Sequence, residues 1–409
     1  MSFPHRFVAG AGARWLAAAC VAVLGAAPAW AQGTIKIGEI NSYKAQPVFL
    51  EAYKKGMNLA VDEVNAAGGV GGKKLVLVTR DDNANPGEAV RLADELVSRE
   101  RVDLLAGTFL SHIGLALADY AQQKKKFFLA SEALTDKITW QNGNAYAYRL
   151  RSSTYMLSAA LVPDALKLKK KRWAIVYPNY EYGQSAVDTF KKRMKEQQPD
   201  IEFVTEQAAP LGKLDAGSVA QAIADAKPDA IFNVLFGPDL AKFVREGTTR
   251  GLFKNTPVVS VLTGEPEYLE PLRDEAPVGW IVTGYPWYSI DTPAHKAFVA
   301  AYQAKYGKED LRLGSVIGYS TIKSLAEGVK RAGGKTDAES MVKAFSGLKV
   351  PTPDGAIEYR ALDHQSTLGV YVGKIALKDG KGVMVDYRYV PGETLLPPDA
   401  EVRKLRPVP

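Results

Sequence analysis

Apolar residues recur along this chain in two alternating rhythms. Short apolar runs stand at 35–40, 75–79, 102–106 and 127–130, and they predict strands. Between the first two, Phe49, Tyr53, Met57, Ala60, Val61 and Val64 recur every three or four residues, which places them on one helix face. That helix stops at Asn65-Ala66-Ala67-Gly68-Gly69, where glycine lets the backbone turn away. Asn85-Pro86-Gly87-Glu88 predicts the next helix start. Asparagine caps, proline sits where its missing N–H does no harm, and glutamate follows three residues after the cap. A strand over 146–150 leaves this set. The rhythm then restarts, with strands at 173–177, 201–204, 230–235, 258–261 and 280–282. A helix over 183–195 and others between most of these strands complete it, with Gly251 and Gly307 at helix ends. Helices over 315–331 and 336–345 follow, and from Ile357 the chain turns to β character, with strands at 369–377 and 383–389.

Strands alternating with helices at this spacing predict parallel sheets covered on both faces. Two successive sets predict an α/β protein with two doubly wound parallel-sheet lobes rather than one large sheet.

The start of the chain changes the compartment. Arg6 and Arg14, the apolar run 15–24 and Ala29-Trp30-Ala31 together read as a cleaved signal peptide over 1–31. The run is too short to span a bilayer as a mature helix, which takes about 20 residues. Cys20 is the only cysteine and lies in that leader, so the secreted product is expected to have no disulfide and no thiolate metal site. The formal net charge is +7, of which Arg6 and Arg14 supply two. The densest basic runs, Lys124-Lys125-Lys126 and 167–172, fall where helices end before strands, a favourable place for cations. A secreted chain without a basic-aromatic motif predicts no nucleic-acid partner.

Catalytic patterns are missing. His112, His295 and His364 are far apart and share no metal-ligand spacing. Gly68-Gly69-Val70-Gly71-Gly72 follows a helix and precedes a strand, the reverse of a phosphate loop, and reads as a turn. No enzyme activity, metal or cofactor is expected. What remains is the set of strand C-terminal ends, where open parallel sheets bind ligands. Gly107-Thr108-Phe109-Leu110-Ser111 is the most telling. Glycine permits a tight exit from the strand, and Ser111 then opens a helix whose free N–H groups suit a carboxylate. His112 lies beside it and is a candidate for the pocket wall. Phe109, Tyr155, Tyr182, Phe236 and Tyr285 are candidate apolar walls, the tyrosines with hydroxyl tips.

These segments resemble the periplasmic solute-binding proteins of ABC importers, in the type I branched-chain amino-acid-binding (Leu/Ile/Val-binding) family. Ile35-Lys36-Ile37-Gly38 resembles its first strand, and Gly56-Met57-Asn58-Leu59-Ala60 through Val70 its first helix and glycine turn. Gly107 with Ser111 resembles its carboxylate loop, Tyr148-Arg149-Leu150-Arg151 its first crossing, and Tyr182-Gly183 the residues that follow its second-lobe opening strand. The resemblance implies two lobes joined by three crossing segments: 32–151 with 286–362, and 152–285 with 363–409. It implies that Ser111 holds a ligand carboxylate, that the Ala133 region adds backbone contacts, and that Tyr182 packs on the ligand. Glu265 is the candidate partner for an α-ammonium group. Ser131-Glu132-Ala133-Leu134 stands where the family often has a proline, small residues and a threonine, so Glu132 and Leu134 join the candidate site. Leu134 replaces a ligand-bonding hydroxyl with an apolar side chain. The implied function is periplasmic capture of a small carboxylate-bearing ligand by a monomer that delivers it to a membrane permease. A branched-chain or related amino acid is the first expectation and an aromatic acid the alternative. A ligand sensor for a separate membrane partner is a further alternative.

Overall fold

The computed structural model describes Met1 and residues 33–407. The expected leader and Cys20 lie outside the described residues. Five parallel strands form the first sheet: β1 (Thr34–Asn41), β2 (Lys74–Asp81), β3 (Leu104–Gly107), β4 (Phe128–Ala130) and β5 (Ala147–Arg149), in the order β2-β1-β3-β4-β5. The second sheet begins with β6 (Arg172–Pro178), β7 (Glu202–Ala209), β8 (Ala230–Asn233), β9 (Val258–Gly264) and β10 (Ile281–Gly284), again parallel to one another. A small antiparallel pair follows, β11 (Lys349–Thr352) with β12 (Gly355–Glu358). Then β13 (Val370–Lys378) and β14 (Lys381–Val390) add an antiparallel edge to the second sheet, whose order is β14-β13-β10-β9-β8-β6-β7. Strand connections through helices put apolar faces on both sides of each sheet, and the inner strands are buried throughout. This is the two-lobed α/β architecture that the sequence rhythm predicts.

The chain passes between the sheets three times. It leaves β5 for helix Thr154–Lys167 and β6, returns after β10 to helices Pro293–Tyr306 and Leu313–Arg331, and passes after β12 into β13. Helix Leu313–Arg331 lies tightly against helix Pro47–Ala66 of the first lobe. Glycines make the contact possible: a Cβ on Gly56 would meet the Ser315 carbonyl oxygen at 1.9 Å, and one on Gly318 the Tyr53 carbonyl oxygen at 2.0 Å. Local signals hold in detail. Asn85 Oδ1 accepts from the Glu88 N–H at 3.0 Å, with Pro86 at the head of helix Pro86–Ser98.

Two elements carry no signal in the hydrophobic pattern. The β11–β12 pair contains Pro351, which breaks the alternation of a strand. Helix Asp399–Leu405 has seven residues and buries one of them, Val402. Just after it, Arg406 donates to the Thr139 carbonyl at 2.6 Å and the Asn144 carbonyl at 2.9 Å, beside the first sheet. Glu401 meanwhile pairs with Lys192 of helix Glu181–Gln197 beside the second, so the last described residues touch both lobes.

Candidate functional site

The site grows out of the C-terminal ends of the parallel strands. At the end of β3, Gly107 has φ +124°, and a Cβ there would meet the Ile40 carbonyl oxygen at 2.0 Å. Only glycine makes that exit without strain. Neighbouring β1 ends in Asn41, whose Oδ1 accepts from the Phe109 N–H at 2.8 Å and so fixes the loop. Ser111 then opens helix Ser111–Lys124. Its Oγ accepts from the N–H groups of Leu134 at 3.1 Å and Thr135 at 3.2 Å, leaving the hydroxyl proton free to donate.

Three helices begin at one cavity: Ser111–Lys124, Glu181–Gln197 and Gly237–Thr249. None has a side-chain cap. First-turn N–H groups without a cap, together with the positive end of the helix dipole, favour an anion.

The cavity is narrow, with closed space for about one water molecule. The first lobe lines it with Phe109, Ser111, Glu132, Leu134 and Arg151, and the second with Tyr180, Tyr182, Phe236 and Leu262. Its aromatic walls meet across the lobes, with ring centroids of Phe109 and Phe236 6.0 Å apart and those of Tyr182 and Phe236 5.7 Å apart. The Tyr182 hydroxyl is buried without a hydrogen-bond partner.

Charge is concentrated at one end. The guanidinium of Arg151 lies 5.2 Å from the Phe49 ring centroid and pairs with Glu265, which begins the short helix Pro266–Leu269. Both groups are buried, so the pair spans the lobes out of water. Burial pushes the Glu265 acid upward, and the adjacent Arg151 pulls it part of the way back. Glu132 is 1% exposed, and neither carboxylate oxygen has a hydrogen-bond partner. Burial holds its acid far above the usual carboxylate range, the nearby Glu39 adds to the shift, and Arg151 opposes it. Glu39 stands behind, accepting from Asn41 Nδ2 at 3.1 Å and from the Tyr43 hydroxyl at 2.7 Å.

The structure thus gathers Phe109, Ser111, Glu132, Leu134, Tyr182 and Phe236 on one cavity, with Glu265 against it through Arg151. Besides Glu265, four expected residues are not on its wall. His112 stands just outside, its ring 5.6 Å from Tyr180, and Ala133 packs behind against Gly114. Tyr155 turns to Trp140 and lies under the Arg193 guanidinium. Tyr285 points at helix Pro293–Tyr306, where its hydroxyl meets His295 Nε2 at 2.6 Å. The last two are corrections: each aromatic sits near a strand or helix end, but its side chain enters the neighbouring core. Tyr180, Leu262 and Arg151 are wall residues that the sequence reading does not single out. Tyr180 immediately precedes a helix, in the same position as Phe236, and that parallel was readable.

Among the described residues no group of three or more His, Cys, Asp or Glu could hold a metal ion, and no helix is long and apolar enough to cross a membrane. The pattern of the family described as periplasmic binding protein matches residues 34–381. The chain is 27% identical over 360 residues to the Leu/Ile/Val-binding protein homolog 7 of Brucella suis, covering 84% of this chain and 88% of that one. It is 25% identical over 391 residues to homolog 8 of Brucella melitensis, covering 91% and 93%. A solute-binding protein of an ABC transporter from Rhodopseudomonas palustris HaA2, solved with p-hydroxybenzoic acid, superimposes with a TM-score of 0.79 at 26% identity, covering 91% of this chain and 100% of that one. One from strain BisB5, solved with 3,4-dihydroxybenzoic acid, gives a TM-score of 0.76 at 26% identity, covering 88% and 98%. The chain therefore belongs to the type I periplasmic binding proteins of the branched-chain amino-acid family, and it is a substrate-binding protein of an ABC transporter, not an enzyme.

Proposed function

We propose that this protein captures a small α-amino acid between its lobes in the periplasm and hands it to a membrane permease. One observation carries the reading: a single narrow cavity between the lobes has an anion-attracting end at the uncapped start of helix Ser111–Lys124 and an unpartnered buried carboxylate at Glu132. A zwitterion meets both. Its carboxylate takes the Ser111 hydroxyl and first-turn N–H groups, its ammonium takes Glu132, and its side chain lies among Phe109, Tyr182 and Phe236. Glu265, the partner expected for the ammonium, is engaged by Arg151, and Glu132 takes over that role. The ligand favours the closed arrangement because only there do both lobes touch it. Lobes of 32–151 with 286–362, and of 152–285 with 363–409, are the moving bodies, and cleavage after Ala31 releases a monomer to the periplasm.

A second reading is an aromatic acid. The ring walls from both lobes favour it, as do the hydroxybenzoates bound by the Rhodopseudomonas proteins. Here a Glu132 carboxyl would bond a ring hydroxyl. Calorimetric titration with L-leucine and with 4-hydroxybenzoate separates the two. The amino-acid reading expects L-leucine to bind the more tightly. It also expects Ser111→Ala to weaken L-leucine about tenfold, or ~1.4 kcal/mol, with the far-ultraviolet circular dichroism unchanged and the thermal midpoint lowered because the Leu134 and Thr135 N–H groups lose their acceptor. Unchanged affinity would remove the carboxylate role of Ser111.

A further inference from the structure

Glu132 and Arg151 leave neighbouring strands in the same register. The parallel strands β4 and β5 pair Ala130 with Arg149, so each residue lies two positions past a matched pair. The segments beyond the strands stay joined. The Leu150 N–H donates to the Ala130 carbonyl at 2.9 Å, and the Arg149 guanidinium to the Leu134 carbonyl at 3.2 Å. Paired strands lie about 5 Å apart, so Glu132 and Arg151 remain neighbours whatever the second sheet does. Glu265 follows β9 in that second sheet, and its ion pair with Arg151 joins two bodies that part when the lobes open.

One cation therefore faces two carboxylates. With the lobes together, as here, Arg151 pairs with Glu265, and no protein group donates to either Glu132 oxygen. Glu39 in β1, Tyr43 just after it, Tyr53 of helix Pro47–Ala66 and Glu267 of helix Pro266–Leu269 also act on Glu132, and none of them is a cation. An ionised carboxylate buried without a counter-charge is expensive, and a neutral hydrogen-bond donor does not cancel the charge.

We propose that Arg151 is a specificity-determining residue shared between the two acids: it neutralises Glu132 while the lobes are apart and passes to Glu265 as they meet. Closing then strands Glu132, so the lobes lock only around a ligand that brings it a cationic group, or when Glu132 takes up a proton. At neutral pH the empty protein is held open by its own charge. The proposal rests on the amino-acid reading for the natural source of that cation, whereas the stranded charge is the same for any ligand.

Small-angle X-ray scattering of the purified, ligand-free protein is the test. Wild type should be extended at pH 8 and compact when saturated with L-leucine. Acid should also compact it, by up to about tenfold in the closing equilibrium per pH unit for one proton. Glu132→Gln has no charge to strand, so it should be compact at pH 8 without ligand and respond less to acid. Far-ultraviolet circular dichroism checks that it folds. Glu265→Gln leaves Arg151 with Glu132, and calorimetry should show L-leucine weakened about tenfold. Equal compactness of empty wild type and Glu132→Gln at pH 8 overturns the proposal. Equal acid compaction of the two does so as well, as does unchanged L-leucine affinity in Glu265→Gln. If 4-hydroxybenzoate binds and L-leucine does not, the amino-acid reading falls. The exchange then requires about one proton taken up per 4-hydroxybenzoate, seen as binding heats that differ between phosphate and Tris buffers. No uptake there overturns the exchange too.

Discussion

The two lobes face the ligand cavity with different chemistry. The first brings Ser111, Glu132 and Arg151, backed by Glu39 and Asn41. The second brings Tyr180, Tyr182, Phe236 and Leu262, and its Glu265 is held by Arg151. The difference assigns separate tasks. Buried charges need donors and acceptors fixed in advance, and the first lobe holds them within a single sheet and its loops. Ring contacts are less directional, so they suit the face that must approach from a distance. The first lobe then selects the charged ends of a ligand, and the second selects size and completes burial on closing.

The largest way to break this comparison is Arg151→Ala. It leaves Glu265 and Glu132 buried without their cation, and loss of one partner of a buried pair costs about 3–5 kcal/mol. Urea unfolding should show that loss, and amino-acid binding should fall below detection. Wild-type stability would mean that the pair does not join the lobes in solution.

Next comes Glu132→Gln, which keeps the volume and removes the charge. Amino-acid affinity should fall about a hundredfold, or ~2.7 kcal/mol, and the variant should be at least as stable as the parent, since a buried unpartnered carboxylate is gone. An unaffected affinity would move the ammonium elsewhere.

Acid titration sharpens the first lobe's side. Burial, the largest cause, pushes Glu39 from its ordinary 4.5 up to about 8, although Tyr43 and Asn41 donate to it. The folded state then keeps a proton that the unfolded state gives up between those values. That contribution to stability is complete below pH 4.5 and lost as pH rises to about 8. Urea midpoints between pH 5 and pH 8 should fall by the equivalent of ~3.5 kcal/mol, and Glu39→Gln should flatten the slope. A slope of the opposite sign would contradict the buried, proton-holding Glu39.

The smallest effect belongs to the second lobe. Phe236→Leu preserves an apolar wall, and such exchanges cost under about 1.5 kcal/mol. Its affinity loss should therefore stay near tenfold or less and vary with ligand size, in contrast to Glu132→Gln, where charge decides.

Much of this was readable from residue order. Strand C-terminal ends follow from the apolar runs, and the Gly107 exit and the Asn85 cap depend on local chemistry alone. The pair that shapes the site was not readable, because Arg151 and Glu265 are 114 positions apart, just past the ends of strands in different sheets, and only folding brings them together. Tyr155 and Tyr285 mark the same limit: proximity to an element's end does not fix which way a ring turns.

The division of labour between a charged first lobe and an aromatic second lobe is tested most directly by the natural ligand. Protein purified from its own periplasm and denatured would release that ligand for high-resolution mass spectrometry. The account predicts a nitrogen-bearing α-amino acid, matched by a peak that disappears in Glu132→Gln. A hydroxybenzoate without nitrogen, carried equally by Glu132→Gln, would contradict it.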